Sequence, residues 1–109
     1  MKIALATSNK KTLCDKIGFC KYIMIFDTHT KDVEFIENPV YKKAIENGYK
    51  DCGEHGLGTG FLLPPLLKEK GVEIFFAKKM GEGLLGNLEA NKIKAIFTNK
   101  SIEEIIKEY

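Results

Sequence analysis

Cys52 and His55 stand three residues apart, and Gly56, Gly58 and Gly60 follow closely. A thiolate and an imidazole suit iron, zinc, copper or an iron–sulfur cluster. Bare glycine backbone lets N–H groups approach a guest, and the apolar run after Gly60 reads as a helix whose N-terminal dipole favours an anion. Together they suit an anionic inorganic ligand. The competing reading is a flexible surface loop with an incidental cysteine. Cys14 lies in a polar loop where it can join the ligand set, whereas Cys20 opens an apolar run and reads better as a small buried hydrophobe. Cys-x2-His without a second tight pair is a weak zinc pattern. His29, between two threonines, reads as a solvent-facing turn residue.

The lysines divide in the same way. Lys10, Lys11 and Lys16 fall in one loop and Lys78 and Lys79 in another. If both loops lie at the carboxyl ends of adjacent parallel strands, they form a cationic rim for an anionic cluster, with Lys10 and Lys79 as its contacts. Lysine is abundant throughout the chain, so an ordinary solvated surface is the alternative.

Length and composition set the bounds. At 109 residues, 1–109 is one domain with room for a real core. Hydrophobic and charged fractions of 44% and 29% are those of a soluble globular chain. A net charge of +2 is too small by itself to imply nucleic acid, and none is expected as a partner; no apolar run approaches the roughly 20 residues that span a bilayer. Three cysteines, an odd count, with no export signal imply reduced thiols in a cytoplasm.

The elements that must position these residues follow from periodicity. Residues 3–7 are a continuous apolar run, as in a strand buried on both faces. Strands at 20–27 and 33–37, joined by a polar turn, read as an antiparallel hairpin, and Asn38-Pro39 closes it. Tyr41, Ala44, Ile45 and Tyr49 outline a short helical face that Gly48 and Gly53 interrupt, so the segment from about Val40 to Gly58 is expected to be mobile. Leu63, Leu66 and Leu67 have helical spacing. Pro64-Pro65 place that helix's start near 62–64, with Gly58 and Gly60 left in the loop, and Gly71 caps its end. A strand at 72–77, a helix with Leu84, Leu85 and Leu88 inward and a strand at 93–98 follow. Ser101 to Glu104 has capping-box spacing before a final helix. The order β-β-β-α-β-α-β-α predicts an α/β fold with parallel strands in its second half and helices on both faces.

Met1-Lys2-Ile3-Ala4, Gly18, Glu37-Asn38-Pro39, His55-Gly56 with Gly58 and Gly60, Gly71-Val72 and Met80-Gly81 together resemble the dinitrogenase iron-molybdenum cofactor biosynthesis domain. The resemblance covers nearly the whole chain. It implies a ribonuclease H-like three-layer α/β/α sandwich with a five-stranded mixed sheet in the order 3-2-1-4-5. It also implies a non-catalytic carrier of an iron-molybdenum or iron–sulfur cofactor, or a precursor, that a purified protein can lack. Partners would be cofactor-donor or acceptor proteins. Two features depart from the family pattern. Ile17-Gly18-Phe19 stands where members commonly carry Phe-Gly-Arg, and the segment between Asn38-Pro39 and His55-Gly56 is longer than usual.

Enzyme chemistry finds little support. A ribonuclease H-type nuclease needs converging carboxylates, one of them on the first strand, and residues 3–7 contain none. Gly56-x-Gly58-x-Gly60 is not a dinucleotide fingerprint. An anion- or nucleotide-binding module and a structural or adaptor domain without cofactor remain as alternatives.

Overall fold

The computed structural model describes residues 1–46 and 59–109. Strands β1 (Lys2–Thr7), β2 (Tyr22–Asp27), β3 (Val33–Glu37), β4 (Val72–Ala77) and β5 (Lys94–Phe97) form one sheet in the order β3-β2-β1-β4-β5. β1 pairs antiparallel with β2 and parallel with β4, β2 pairs antiparallel with β3, and β4 pairs parallel with β5. The mixed sheet is the one expected from the element order, and its strand order is the one that the family resemblance implies. The helices are α1 (Pro39–Glu46), α2 (Thr59–Glu69), α3 (Glu82–Ala90) and α4 (Ile102–Glu108), with a 3-10 turn at Ile17–Phe19.

Alternation along the central strand assigns its side chains to two cores. Ala4 and Ala6 pack with Ile23, Ile25 and Phe75 beneath Leu63 and Leu67 of α2 and Leu84 and Leu88 of α3. Ile3 and Leu5 pack with Met24, Phe26 and Phe76 beneath Ile102 and Ile105 of α4. β1 is therefore apolar at every position from Ile3 to Ala6, because neither of its faces meets water. The alanines on one face leave room for two helices to approach the sheet. The other face carries larger side chains under one short helix. Ser101 caps that helix through a reciprocal box with Glu104, as its spacing predicts.

Three local features differ from the sequence expectation. Asn38-Pro39 does more than end β3. Pro39 begins α1, and the Asn38 Oδ1 accepts from the Val40 backbone N–H at 3.1 Å, so the pair caps a helix. The segment beginning at Val40 is thus helical as far as Glu46, and the mobility expected beyond it concerns residues outside those described. Next, α2 starts at Thr59, which places Gly60 inside the helix rather than in the preceding loop, and Pro64 and Pro65 lie beyond the first turn. Each proline removes a hydrogen bond from the ladder. Complete burial of Leu63 and Leu67 against the sheet offsets that loss. Finally, of the three leucines expected inward on α3, Leu84 and Leu88 are buried and Leu85 is only half-buried. Gly71 has φ +79° after α2, as a helix-ending glycine should.

Candidate functional site

Thr7 and Ala77 end two neighbouring parallel strands, so the loops that follow them leave the same edge of the sheet. The first loop is built around the buried Thr7. Its Oγ1 donates to the Thr12 carbonyl at 2.7 Å and accepts from the Lys10 N–H at 3.0 Å. Asn9 Oδ1 accepts from the N–H groups of Lys11 and Thr12 at 2.8 and 2.9 Å. Lys10 adopts φ +63° to close this turn. Further along, Ile102 N–H at the start of α4 donates to the Lys11 carbonyl at 3.0 Å. Lys78 Nζ lies 3.4 Å from the Asp15 carboxylate, which joins the loop after β4 to the loop after β1. The two loops that the sequence assigned to a shared rim do meet.

The cysteines of this edge are paired. Cys14 N–H donates to the Ala6 carbonyl at 3.1 Å, and Cys14 is joined to Cys20 by a disulfide with a Cα–Cα distance of 5.9 Å. The expectation of reduced thiols at both positions is corrected accordingly. An odd count prevents complete pairing within one chain but leaves two neighbours free to pair. Cys20 is fully buried, as its apolar run predicts, and Cys14 is half-buried. In the disulfide form Cys14 has no thiolate to offer a metal.

Asn38 fastens this bridged loop to the rest of the fold. Its Nδ2 donates to the carbonyls of Ile17 and Cys20, both at 2.8 Å, and its backbone N–H donates to the Lys21 carbonyl at 3.0 Å. Asn38 is completely buried with all of its side-chain polar atoms partnered. Sequence reading took it as a strand terminator only, yet asparagine immediately before a proline-led helix is a recognisable cap.

The remaining candidates are more scattered. Lys10 Nζ sits over the rings of Tyr22 and Phe35, 4.7 and 5.0 Å from their centroids, so its charge is directed onto β2 and β3. Lys79 is exposed, and Lys78 is engaged with Asp15. Cys52, His55, Gly56 and Gly58 lie outside the described residues. His29 belongs to the β2–β3 turn at the opposite end of the sheet. There its backbone N–H donates to Asp27 Oδ1 at 2.9 Å and holds that carboxyl below its ordinary value. Among the described residues no group of three His, Cys, Asp or Glu side chains converges as a metal site. The described part of the edge therefore contributes backbone and lysine charge, and does not by itself form a ligand set. A separate groove lies between β3 and α2, lined by Ile36, Glu37, Leu62, Pro65, Leu66 and Lys70, and it includes none of the candidate residues.

A family profile described as dinitrogenase iron-molybdenum cofactor matches residues 1–109. No curated protein sequence matches the chain. The crystal structure of PH0822 superposes with a TM-score of 0.73 at 20% identity, covering 98% of this chain and 87% of that one. The apo form of the orange protein from Desulfovibrio gigas superposes with a TM-score of 0.75 at 14% identity, covering 98% and 84%. TM1290, a NifB-like protein of the DUF35 family from Thermotoga, gives 0.68 at 24% identity, covering 97% and 84%. At these identities the three likenesses are likenesses of fold.

Proposed function

The chain belongs to the dinitrogenase iron-molybdenum cofactor family, and we propose that it binds and carries a metal–sulfur cofactor of that type, or a precursor, without catalysing a reaction. The observation that carries this reading is the family match over the whole chain. The joined loops after β1 and β4 add a suitable place, since open α/β sheets take ligands beyond the carboxyl ends of their strands. The similarity of fold to a protein solved in an apo form is in keeping with it. The strand order, with helices packed on both faces, supports describing the fold as ribonuclease H-like. The non-catalytic part rests on β1, which offers no carboxylate for two-metal chemistry.

In this reading Cys52 and His55 are the metal ligands, and Cys14 joins them only as a thiol. Gly56, Gly58 and Gly60 supply close backbone, while Lys10 and Lys79 supply positive charge. The compartment is the cytoplasm and the partners are proteins that donate or accept the cofactor. Among the described residues no helix is long and apolar enough to cross a membrane.

Anaerobic reconstitution of the reduced protein with ferrous iron, sulfide and molybdate tests the assignment. Metal per chain should fall sharply in Cys52→Ala and His55→Ala, and less in Cys14→Ala, with circular dichroism unchanged. Equal loading in all variants, or no loading of the wild type, would favour a structural module instead.

A further inference from the structure

The geometry points to Cys14–Cys20 being a reversible thiol–disulfide exchange site, with Cys14 as the sulfur attacked and a dithiol as its reductant. The two sulfurs are unequal. Cys20 is fully buried in the core beneath α2 and α3, while Cys14 is half-buried at the rim, with Ser8 Oγ 3.6 Å from its sulfur. An incoming thiolate therefore reaches Cys14 first. Its attack forms a mixed disulfide at Cys14 and breaks the bond to Cys20, whose sulfur leaves with the electron pair and takes up a proton. The reductant's second thiolate then attacks its own sulfur in the mixed disulfide and releases Cys14. Two electrons pass to the protein, and the dithiol leaves as its disulfide.

The fold is prepared for both states. The Lys16 carbonyl lies 3.1 Å from Cys20 Sγ and 3.7 Å from Cys14 Sγ, so each thiol formed on reduction has an acceptor beside it as the two sulfurs separate. A buried thiol with a partner ready has no unsatisfied proton to oppose its formation. Ser8 Oγ is placed to donate to a Cys14 thiolate. Oxidation has a structural consequence as well. The bridge closes the loop that carries the Ile17–Phe19 turn, and Asn38 links that loop to the start of α1 through the Ile17 and Cys20 carbonyls. Reduction loosens the loop while Asn38 keeps hold of its far end. The exchange needs no cofactor, and its test does not depend on the carrier reading, in which Cys14 serves only as a thiol.

The test uses the intact chain in native buffer. Graded ratios of dithiothreitol to its disulfide are followed by differential alkylation and mass spectrometry. Cys14 and Cys20 should become alkylatable together and re-form the bridge when the ratio is reversed. Amide exchange at Cys14 and Phe19 should rise on reduction while Asn38, Val40 and β1 stay protected. In Cys20→Ser the Cys14 thiol should react with a maleimide without denaturant. In Cys14→Ser the Cys20 thiol should react at least about tenfold more slowly, because burial shields it. The wild-type titration and mapping decide the matter should either variant fold poorly. A bridge that opens only on unfolding, one that maps to Cys52, or equal maleimide rates at the two positions would overturn the proposal.

Discussion

Lys78 Nζ reaches the Asp15 carboxylate at 3.4 Å across the sheet edge, and this contact joins the two loops that follow the central parallel pair. Both groups keep access to water, Asp15 much the more so. Such a pair is worth well under about 1 kcal/mol. Asp15→Ala should therefore leave the urea midpoint nearly unchanged, and its effect should appear as faster amide exchange in the loop after β1.

Asn38→Ala should be far more damaging. It strands the Cys20 carbonyl and the Val40 N–H in a buried site and leaves the Ile17 carbonyl with the Cys20 N–H alone, at a cost of roughly 2–4 kcal/mol. Asn38→Asp keeps the cap on α1 but turns a carboxylate oxygen onto the two loop carbonyls, which adds a repulsion to the lost donations. Equilibrium urea unfolding should place both Asn38→Ala and Asn38→Asp well below the wild type.

Reducing the disulfide should lower stability by about 2 kcal/mol, the loop-closure value for a bridge of this sequence separation. A thermal scan with and without dithiothreitol checks this. The Cys14→Ser/Cys20→Ser variant should show no dependence on the reductant.

At Lys10 the usual order of glycine and alanine should be reversed. Its φ of +63° is a region that a Cβ disfavours, so Lys10→Gly should be more stable than Lys10→Ala by about 1 kcal/mol. Both lose the contacts of the ammonium with Tyr22 and Phe35, so that contribution cancels in the comparison.

Acid should loosen the start of α4. The backbone N–H and hydroxyl of Ser101 hold the Glu104 carboxyl below its ordinary value. A lowered folded-state value contributes stability that is present above the unfolded value and is lost as pH falls through the folded one. At the other end of the scale, the Glu108 carboxylate holds the Lys100 ammonium above its usual value, so that contribution is lost only as pH rises through it. Near-ultraviolet circular dichroism of the Tyr109–Phe76 edge-to-face pair should report the acid step. Glu104→Gln should flatten it.

The sheet was legible because its strands obey one strong rule each. Residues 3–6 are apolar throughout, which marks a strand buried on both faces, and the acidic residues interleaved in β3 suit the exposed edge that it occupies. The start of α2 was misplaced because proline is judged by local chain geometry, whereas Leu63 and Leu67 are held by the core. At the candidate site, residue types indicated the soft ligands but not which sulfurs meet. Cys14 and Cys20 come together only because the turn at Ile17–Phe19 doubles the chain back, and no periodicity encodes that turn. The lysines were legible as a rim, but not the diversion of Lys10 onto two aromatic rings or of Lys78 onto Asp15.

The position of β1 also shapes how the chain is made. It leaves the ribosome before either of its neighbours, and β2 can zip onto one side of it almost at once as a nearby antiparallel partner. Its other side waits for β4, which begins at Val72. Through that interval the most deeply buried strand of the sheet exposes a row of unpaired peptide groups. Edges of this kind recruit foreign strands during synthesis. Slowing translation upstream of Val72 should then lower the soluble yield, and early binding of a chaperone to residues 2–7 should restore it.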